Sequence, residues 1–210
     1  MKRIRIVGLC LTAVFAFSAV AVTTASAHEY IVGGVVVGTA AEVTGVGTAG
    51  PAELRSEIGS TKIVIICKKT SFTGEIEKEG KSKATIKYEL CELEEEATGK
   101  ILTACTVEPP TAKVNDLLEG GPPVKDKFEE SGGLPFTEIT ITGASCALKV
   151  SKVAVKGSQV CELPGGEVEA EKHKIVCSPS GSSLKFGTKT ATYTGTVVVE
   201  LKSHKNWRGK

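Results

Sequence analysis

Aromatic residues make up only 5% of this 210-residue chain, with one tryptophan, one methionine and three histidines. That leaves little for a flat, ring-lined polysaccharide face and few bases for a histidine-dependent hydrolase. No two cysteines stand in a C-x-x-C pair, which argues against a structural zinc site and against a thioredoxin-like redox motif. The G-x-S-x-G elbow of the α/β hydrolases is missing, as is the Asp/Asn-Gly loop spacing of calcium sites. No basic patch with interleaved aromatics is present, so nucleic acid is not expected as a partner. Beyond the first 27 residues no apolar run is long enough to span a bilayer.

Those first residues read as a secretory signal. Lys2, Arg3 and Arg5 precede an apolar stretch from Ile4 to Val22, and Ala25-Ser26-Ala27 places small residues where signal peptidase needs them. The rival reading is an uncleaved anchor, because the apolar stretch approaches the ~20 residues that cross a membrane. The well-placed A-x-A favours cleavage, with His28 as the first mature residue and Cys10 leaving with the signal. Of 26 basic residues, the signal holds three, which leaves 23 against 24 acidic residues. The apparent basicity is therefore mostly targeting. Basic residues cluster only in the tail, at Lys202, His204, Lys205, Arg208 and Lys210, where a solubilising role is the simplest account.

What the mature chain does have is an even set of cysteines. Cys67, Cys91, Cys105, Cys146, Cys161 and Cys177 follow an export signal, and in an oxidising compartment they are expected to form three disulfides. Spacing does not fix the pairing. A local bridge from Cys91 to Cys105, folding back about Thr98-Gly99, is the most plausible single pair.

Alternation gives the fold class. Ala191, Tyr193, Gly195, Val197, Val199 and Leu201 alternate with Thr190, Thr192, Thr194, Thr196, Val198 and Glu200, which predicts a long half-buried strand with a solvated threonine face. Ala84, Ile86, Tyr88 and Leu90 alternate with lysine, threonine and glutamate, and a turn at Glu79-Gly80-Lys81 joins that strand to Gly74–Lys78 as a hairpin. The run KIVIIC at 62–67 reads as a central strand covered on both faces. Strands are also expected at Glu138–Gly143 and His173–Cys177. Between Val150 and Val153 the apolar phase slips at Ser151-Lys152, which predicts a bulge.

Turn signals at 120–123, 131–133, 164–166 and 178–181 separate these strands at short intervals. The expected fold is all-β, an antiparallel β-sandwich or barrel-like domain over residues 61–202. A Gly/Val-rich segment at 28–60 joins it, and a basic tail at 203–210 closes the chain. Only Ala52–Ile58, Glu92–Ala97 and Val114–Glu119 have room for helical turns. The stretch Glu108–Pro135 reads as a connection longer than usual and as the most plausible binding surface.

The segment Lys62–Leu93 (KIVIICKKTSFTGEIEKEGKSKATIKYELCEL), the stretch Gly157–Leu163 (GSQVCEL), the mature start His-Glu-Tyr-Ile-Val and the run SGSSLKFGTKTATYTGTVVVELKSHKNW resemble a group of secreted bacterial cysteine-containing all-β proteins without an assigned activity. The resemblance covers nearly the whole mature chain. It implies an exported envelope or extracellular protein and brings no catalytic residue with it.

Several local patterns invite sharper readings. Ile31-Val32-Gly33-Gly34 matches the new N-terminus of an activated trypsin-like protease, but the contexts for that family's base and nucleophile are missing. Glu92, Glu94 and Glu96 share a face of an extended strand, yet nothing apolar beside them would raise one carboxyl for acid duty, and a charged edge that resists aggregation accounts for them. The remaining chemistry is metallic. An N-terminal His28 offers an amine and an imidazole to copper, and His173 or His204 would supply one more nitrogen. The favoured function is a non-enzymatic secreted or cell-envelope β-domain, structural or ligand-binding, with no cofactor. A copper-binding or copper redox protein is the alternative.

Overall fold

The computed structural model describes residues 28–47 and 51–210. Residues 1–27, the stretch expected to be a signal and the one that holds Cys10, lie outside the described residues. In chain order the strands are β1 (Tyr30–Val32), β2 (Val35–Val36), β3 (Ala41–Gly47), β4 (Ala52–Ile58), β5 (Thr61–Ile76) and β6 (Lys81–Glu95). They continue as β7 (Lys100–Ile101), β8 (Thr106–Val107), β9 (Thr111–Glu119), β10 (Val124–Glu130), β11 (Thr137–Thr142) and β12 (Val150–Lys156). The last are β13 (Ser158–Leu163), β14 (Lys172–Ser182), β15 (Leu184–Phe186), β16 (Lys189–Leu201) and β17 (Trp207–Gly209).

Eight of them close into an antiparallel barrel in the order β3, β5, β6, β9, β10, β13, β14, β16, with β16 returning to β3. Closure through the β14–β16 ladder makes this a barrel rather than a sandwich, and it removes the unpaired edges that an open sheet would leave. Strands β5, β6 and β16 are too long for the barrel alone and run on below it. There they carry a second, curled sheet in the order β7, β6, β5, β4, β16, β15, β12, β11, β8. Strands β3 and β4 share one slot between β5 and β16, the first pairing in the barrel and the second in the curled sheet. The outer end of that sheet, β8, comes back beside β6 without forming a ladder to it.

The period-two readings hold along β16 and along β6 as far as Tyr88, but Leu90 takes φ 54° where the β5–β6 ladder is interrupted and is exposed instead of facing inward. On β16, Ala191, Val199 and Leu201 are buried on the inner face. The β5–β6 hairpin turns through a 3-10 turn at Lys78–Gly80, with Glu79 and Gly80 both at positive φ. KIVIIC lies inside β5 with Ile63, Val64 and Ile65 all buried, as a strand covered on both faces requires. The bulge is present too: Val150 and Val153 pair with Ile141 and Ile139, so Ser151 and Lys152 together oppose Thr140, and Lys152 takes φ 50°.

Other expectations are corrected. Residues 52–58, 92–95 and 114–119 are extended, because in each segment tertiary pairing on both flanks outweighs a weak helical preference. The stretch Glu108–Pro135 is no long connection, since it holds β9 and β10, two barrel staves. The Gly/Val-rich segment at 28–60 contributes β3 and β4 to the sheets. Nor is the tail loose. β17 pairs with β1, which also pairs with β2, and this three-stranded sheet sits over one end of the barrel. Gly209 packs there on Leu118 and Val124, and its amide donates to the Gly166 carbonyl at 2.8 Å.

All six cysteines are bridged, but not as Cys91 to Cys105. Cys67 joins Cys91 and Cys161 joins Cys177, in each case between residues directly opposite on neighbouring strands, while Cys105 joins Cys146 across the loops of the curled sheet. The hairpin at Thr98-Gly99 does form, with the Gly99 amide donating to the Glu95 carbonyl at 2.9 Å. It sets Cys105 beside the loop that carries Cys146 instead of beside Cys91.

Candidate ligand cavity and buried carboxyl pair

Inward side chains of both sheets meet where the closed barrel gives way to the curled sheet, and they do not fill the space. A cavity of about 110 Å³ remains. Its walls are Leu54 from β4, Ile65 and Phe72 from β5, Ile86 and Tyr88 from β6, Phe128 from β10, Phe136 before β11, and Tyr193 and Val197 from β16. Leu54, Ile86, Tyr88 and Val197 point inward yet are only half-buried, because the surface they keep faces the cavity. Two of the disulfides, through Cys67, Cys161 and Cys177, form part of the same wall.

Polar groups in this lining are few and mostly matched. Tyr88 donates its hydroxyl to Tyr193 at 3.3 Å, with the rings edge to face at 6.3 Å. Burial raises the pKa of both phenols, and for Tyr88 the neighbouring Tyr193 adds to the rise, so both stay neutral at any physiological pH. Tyr193, having accepted, keeps its own O–H to offer. Gln159 is spoken for: its amide donates to the Val160 and Ser178 carbonyls at 2.9 and 3.1 Å, and Ser182 donates to its oxygen.

One layer from the cavity toward the covered end, the apolar phase of two adjacent strands is interrupted by acid. Asp116 follows Ala112 and Val114 on the inner face of β9, and Asp126 lies between Val124 and Phe128 on β10. They are 5% and 3% exposed. Ser82 donates to Asp116, and Asp126, diagonal to Asp116 across the β9–β10 ladder on the same inner face, lies within hydrogen-bonding reach of it. Burial pushes Asp116 up to about 6 against these hydrogen bonds, and burial followed by the charge of Asp116 lifts Asp126 well above the ordinary carboxylate range. The pair therefore carries at most one charge near neutrality. Asp126 Oδ1 has no hydrogen-bond partner.

Tyr30 of β1 reaches this pair from the covering sheet. Its phenol pKa is raised by burial and then by Asp126 and Asp116, and it lies against Ser82. Above it, Tyr30 packs at 6.1 Å on Trp207, which stands edge-on to His173 at 4.4 Å.

The residues proposed for metal are not gathered. His28 Nδ1 contacts the Lys210 carbonyl at 3.2 Å, with the ring on Gly120, where no Cβ would fit. His173 is buried, its Nε2 bonded to the Trp207 carbonyl at 2.7 Å. His204 is exposed and pairs with Glu171 at 3.2 Å. Among the described residues one group of three metal-ligating side chains comes together, Glu171, Glu200 and His204, and it includes neither of the other histidines. Its members are at or near the surface, and Glu200 is engaged by Lys172 at 3.1 Å. His28, His173 and His204 thus each bond to a different partner in this fold.

The carboxylates of the β6 edge are surface ion pairs, Glu92 with Lys68 at 2.6 Å and Glu96 with Arg55 at 2.8 Å. Ile31 is buried in the middle of β1, bound into the sheet from both sides. No helix among the described residues is long and apolar enough to cross a membrane.

Asp116 and Asp126 went unread in the sequence. The signal was an aspartate in the inward phase of TAKVNDLLE and again of VKDKFEE, and reading that region as a loop with a helical turn hid it. Comparison with protein-family models, with curated proteins and with solved structures finds no match to this chain.

Proposed function

We propose that this chain is a non-enzymatic extracellular domain whose barrel holds a small apolar molecule in its interior cavity. The observation that carries the reading is the cavity itself: apolar, about 110 Å³, and walled by strands that two cross-strand disulfides brace. An apolar cavity of about 150 Å³ in a packed protein stays dry and takes up benzene, so this one suits a single ring or a short branched chain. The spare O–H of Tyr193 favours a ligand that also carries one acceptor oxygen. Exposure to an oxidising compartment is supported by the three disulfides and by the signal-like leader, which together fit secretion or the cell envelope.

Thermal unfolding in the presence of benzene, phenol and cyclohexanone tests this. A binder at a hundred times its Kd is expected to raise Tm by about 5 to 10 °C. Phenol and cyclohexanone are expected to bind more tightly than benzene, with the difference lost in Tyr193→Phe. No shift with any of the three would leave a purely structural domain.

A further inference from the structure

The two buried aspartates need an account that the cavity does not supply. A carboxyl pair buried beneath one end of a barrel costs stability through desolvation, and removing it to an apolar pair would leave the closure of the staves intact. Its position points to a use. The covering sheet of β1, β2 and β17 forms no ladder with the barrel staves and is held by the Trp207–Ala170 bridge, by hydrogen bonds of Gly209 to Gly166, His173 to the Trp207 carbonyl, Gly34 to Glu169 and Arg208 to Glu167, and by packing of Gly209 on Leu118 and Val124 and of His28 on Gly120. Of its side chains, Tyr30 is buried in the core at this end with Leu118 and Val124, and its phenol feels the charge of both carboxyls.

We propose that Asp116, Asp126 and Tyr30 form a proton-operated latch that holds the β1–β17 cover on the end of the barrel. While the pair shares a proton, it carries one charge at most, and Tyr30 can sit over it in a dry site. When both carboxyls are ionised, two like charges lie against each other and against the phenol, and withdrawing Tyr30 relieves them by admitting water.

The sign follows from the direction of the shifts. The covered state holds its protons more tightly than a solvated pair, whose carboxyls ionise near pH 4. Cover closure is therefore strongest at acid pH and weakens as pH rises through about 6, where Asp116 ionises, and further as Asp126 follows. The other groups bearing on the pair do not reverse this. Glu77 adds negative charge and is itself paired with Lys83, and Cys161, opposite Asp126 in register, is bridged to Cys177. Two imidazoles touch the cover, His173 against Trp207 and His28 on Gly120 beside the Lys210 carbonyl. The latch does not depend on what the cavity binds.

Trp207 is the one tryptophan in the chain and sits in the cover, so its fluorescence reports opening directly. In the full chain with disulfides intact, amide exchange at Tyr30–Val32 and Trp207–Gly209, corrected for the intrinsic effect of pH, is expected to speed up tenfold or more between pH 5 and 8. Trp207 emission should shift to the red in parallel, with β11 and β12 amides unchanged. Asp116→Asn with Asp126→Asn should flatten both readouts, and Asp126→Asn alone, the milder change, should reduce them. A flat wild-type profile overturns the latch. So does a rise spread evenly over all strands, which would make the pair a determinant of global stability only, and so does a rise that survives in the Asn variants, which would place the response outside the two carboxyls.

Discussion

The two ends of the barrel interior are built from the same staves and filled in opposite ways. At the covered end, Leu118, Leu163 and Leu201 are almost wholly buried and the space is closed by Tyr30 and Trp207, yet two carboxyls are sealed beneath them. At the other end the lining is apolar and its polar atoms largely matched, yet a cavity is left open. Tight packing accompanies poor polar matching, and loose packing accompanies good matching. Neither end is optimised for stability alone, and a departure from the rules of a well-filled, satisfied core is where a function is to be sought.

Matched truncations give the largest test of that contrast. Leu118→Ala at the covered end removes a side chain that is 1% exposed and surrounded on all sides. A new void must open, and a loss of about 4 kcal/mol is expected. Leu54→Ala removes the same atoms from a wall that already faces empty space, so fewer contacts are forfeited, and about 2 kcal/mol is expected. Urea unfolding of the two variants measures both. Equal losses would mean that the cavity is closed in solution and that the ends do not differ.

A smaller effect of opposite sign comes from filling the cavity. Ala112 lies on its wall with β9 held rigidly between β6 and β10. Ala112→Leu is expected to stabilise by about 1 kcal/mol and to abolish the thermal shift given by phenol. A destabilised variant would show instead that the walls cannot accommodate the added carbons. If the shift persisted undiminished, the ligand would lie elsewhere.

How much of this was legible follows from the range of each signal. The inner phase of Ala191–Leu201, the hairpin at Lys78–Gly80 and the bulge at Ser151-Lys152 are written in adjacent residues, because side-chain direction in a strand repeats every two positions. Pairings between distant segments are not local. The β14–β16 ladder that closes the barrel, the partner of Cys105 and the docking of Trp207 on the N-terminal strand each depend on the whole chain being in place. A basic tail beside a buried tryptophan is ambiguous to local reading, since Lys202, Lys205 and Lys210 are exposed while Trp207 between them is core. The cavity was out of reach for a further reason: it is defined by side chains that fail to meet, which no single segment records. The paired aspartates were within reach, and a wrong loop assignment concealed them.

The outer wall supplies the control, and the smallest expected effect. Lys68 and Glu92 make a 2.6 Å ion pair beside the Cys67–Cys91 disulfide, but Lys68 is more than half exposed and Glu92 more than a third, so solvent screens the pair. Glu92→Gln keeps the shape and removes the charge. A change within about 0.5 kcal/mol is expected, and it should shrink further in high salt. The same substitution tests where charge matters in this molecule. Asp116 and Asp126 differ from Glu92 in burial and not in kind, so if Glu92→Gln altered the pH profile of Trp207 emission as much as Asp126→Asn does, the response would belong to the net charge of the barrel. A profile unmoved by Glu92→Gln ties it to the two carboxyls inside.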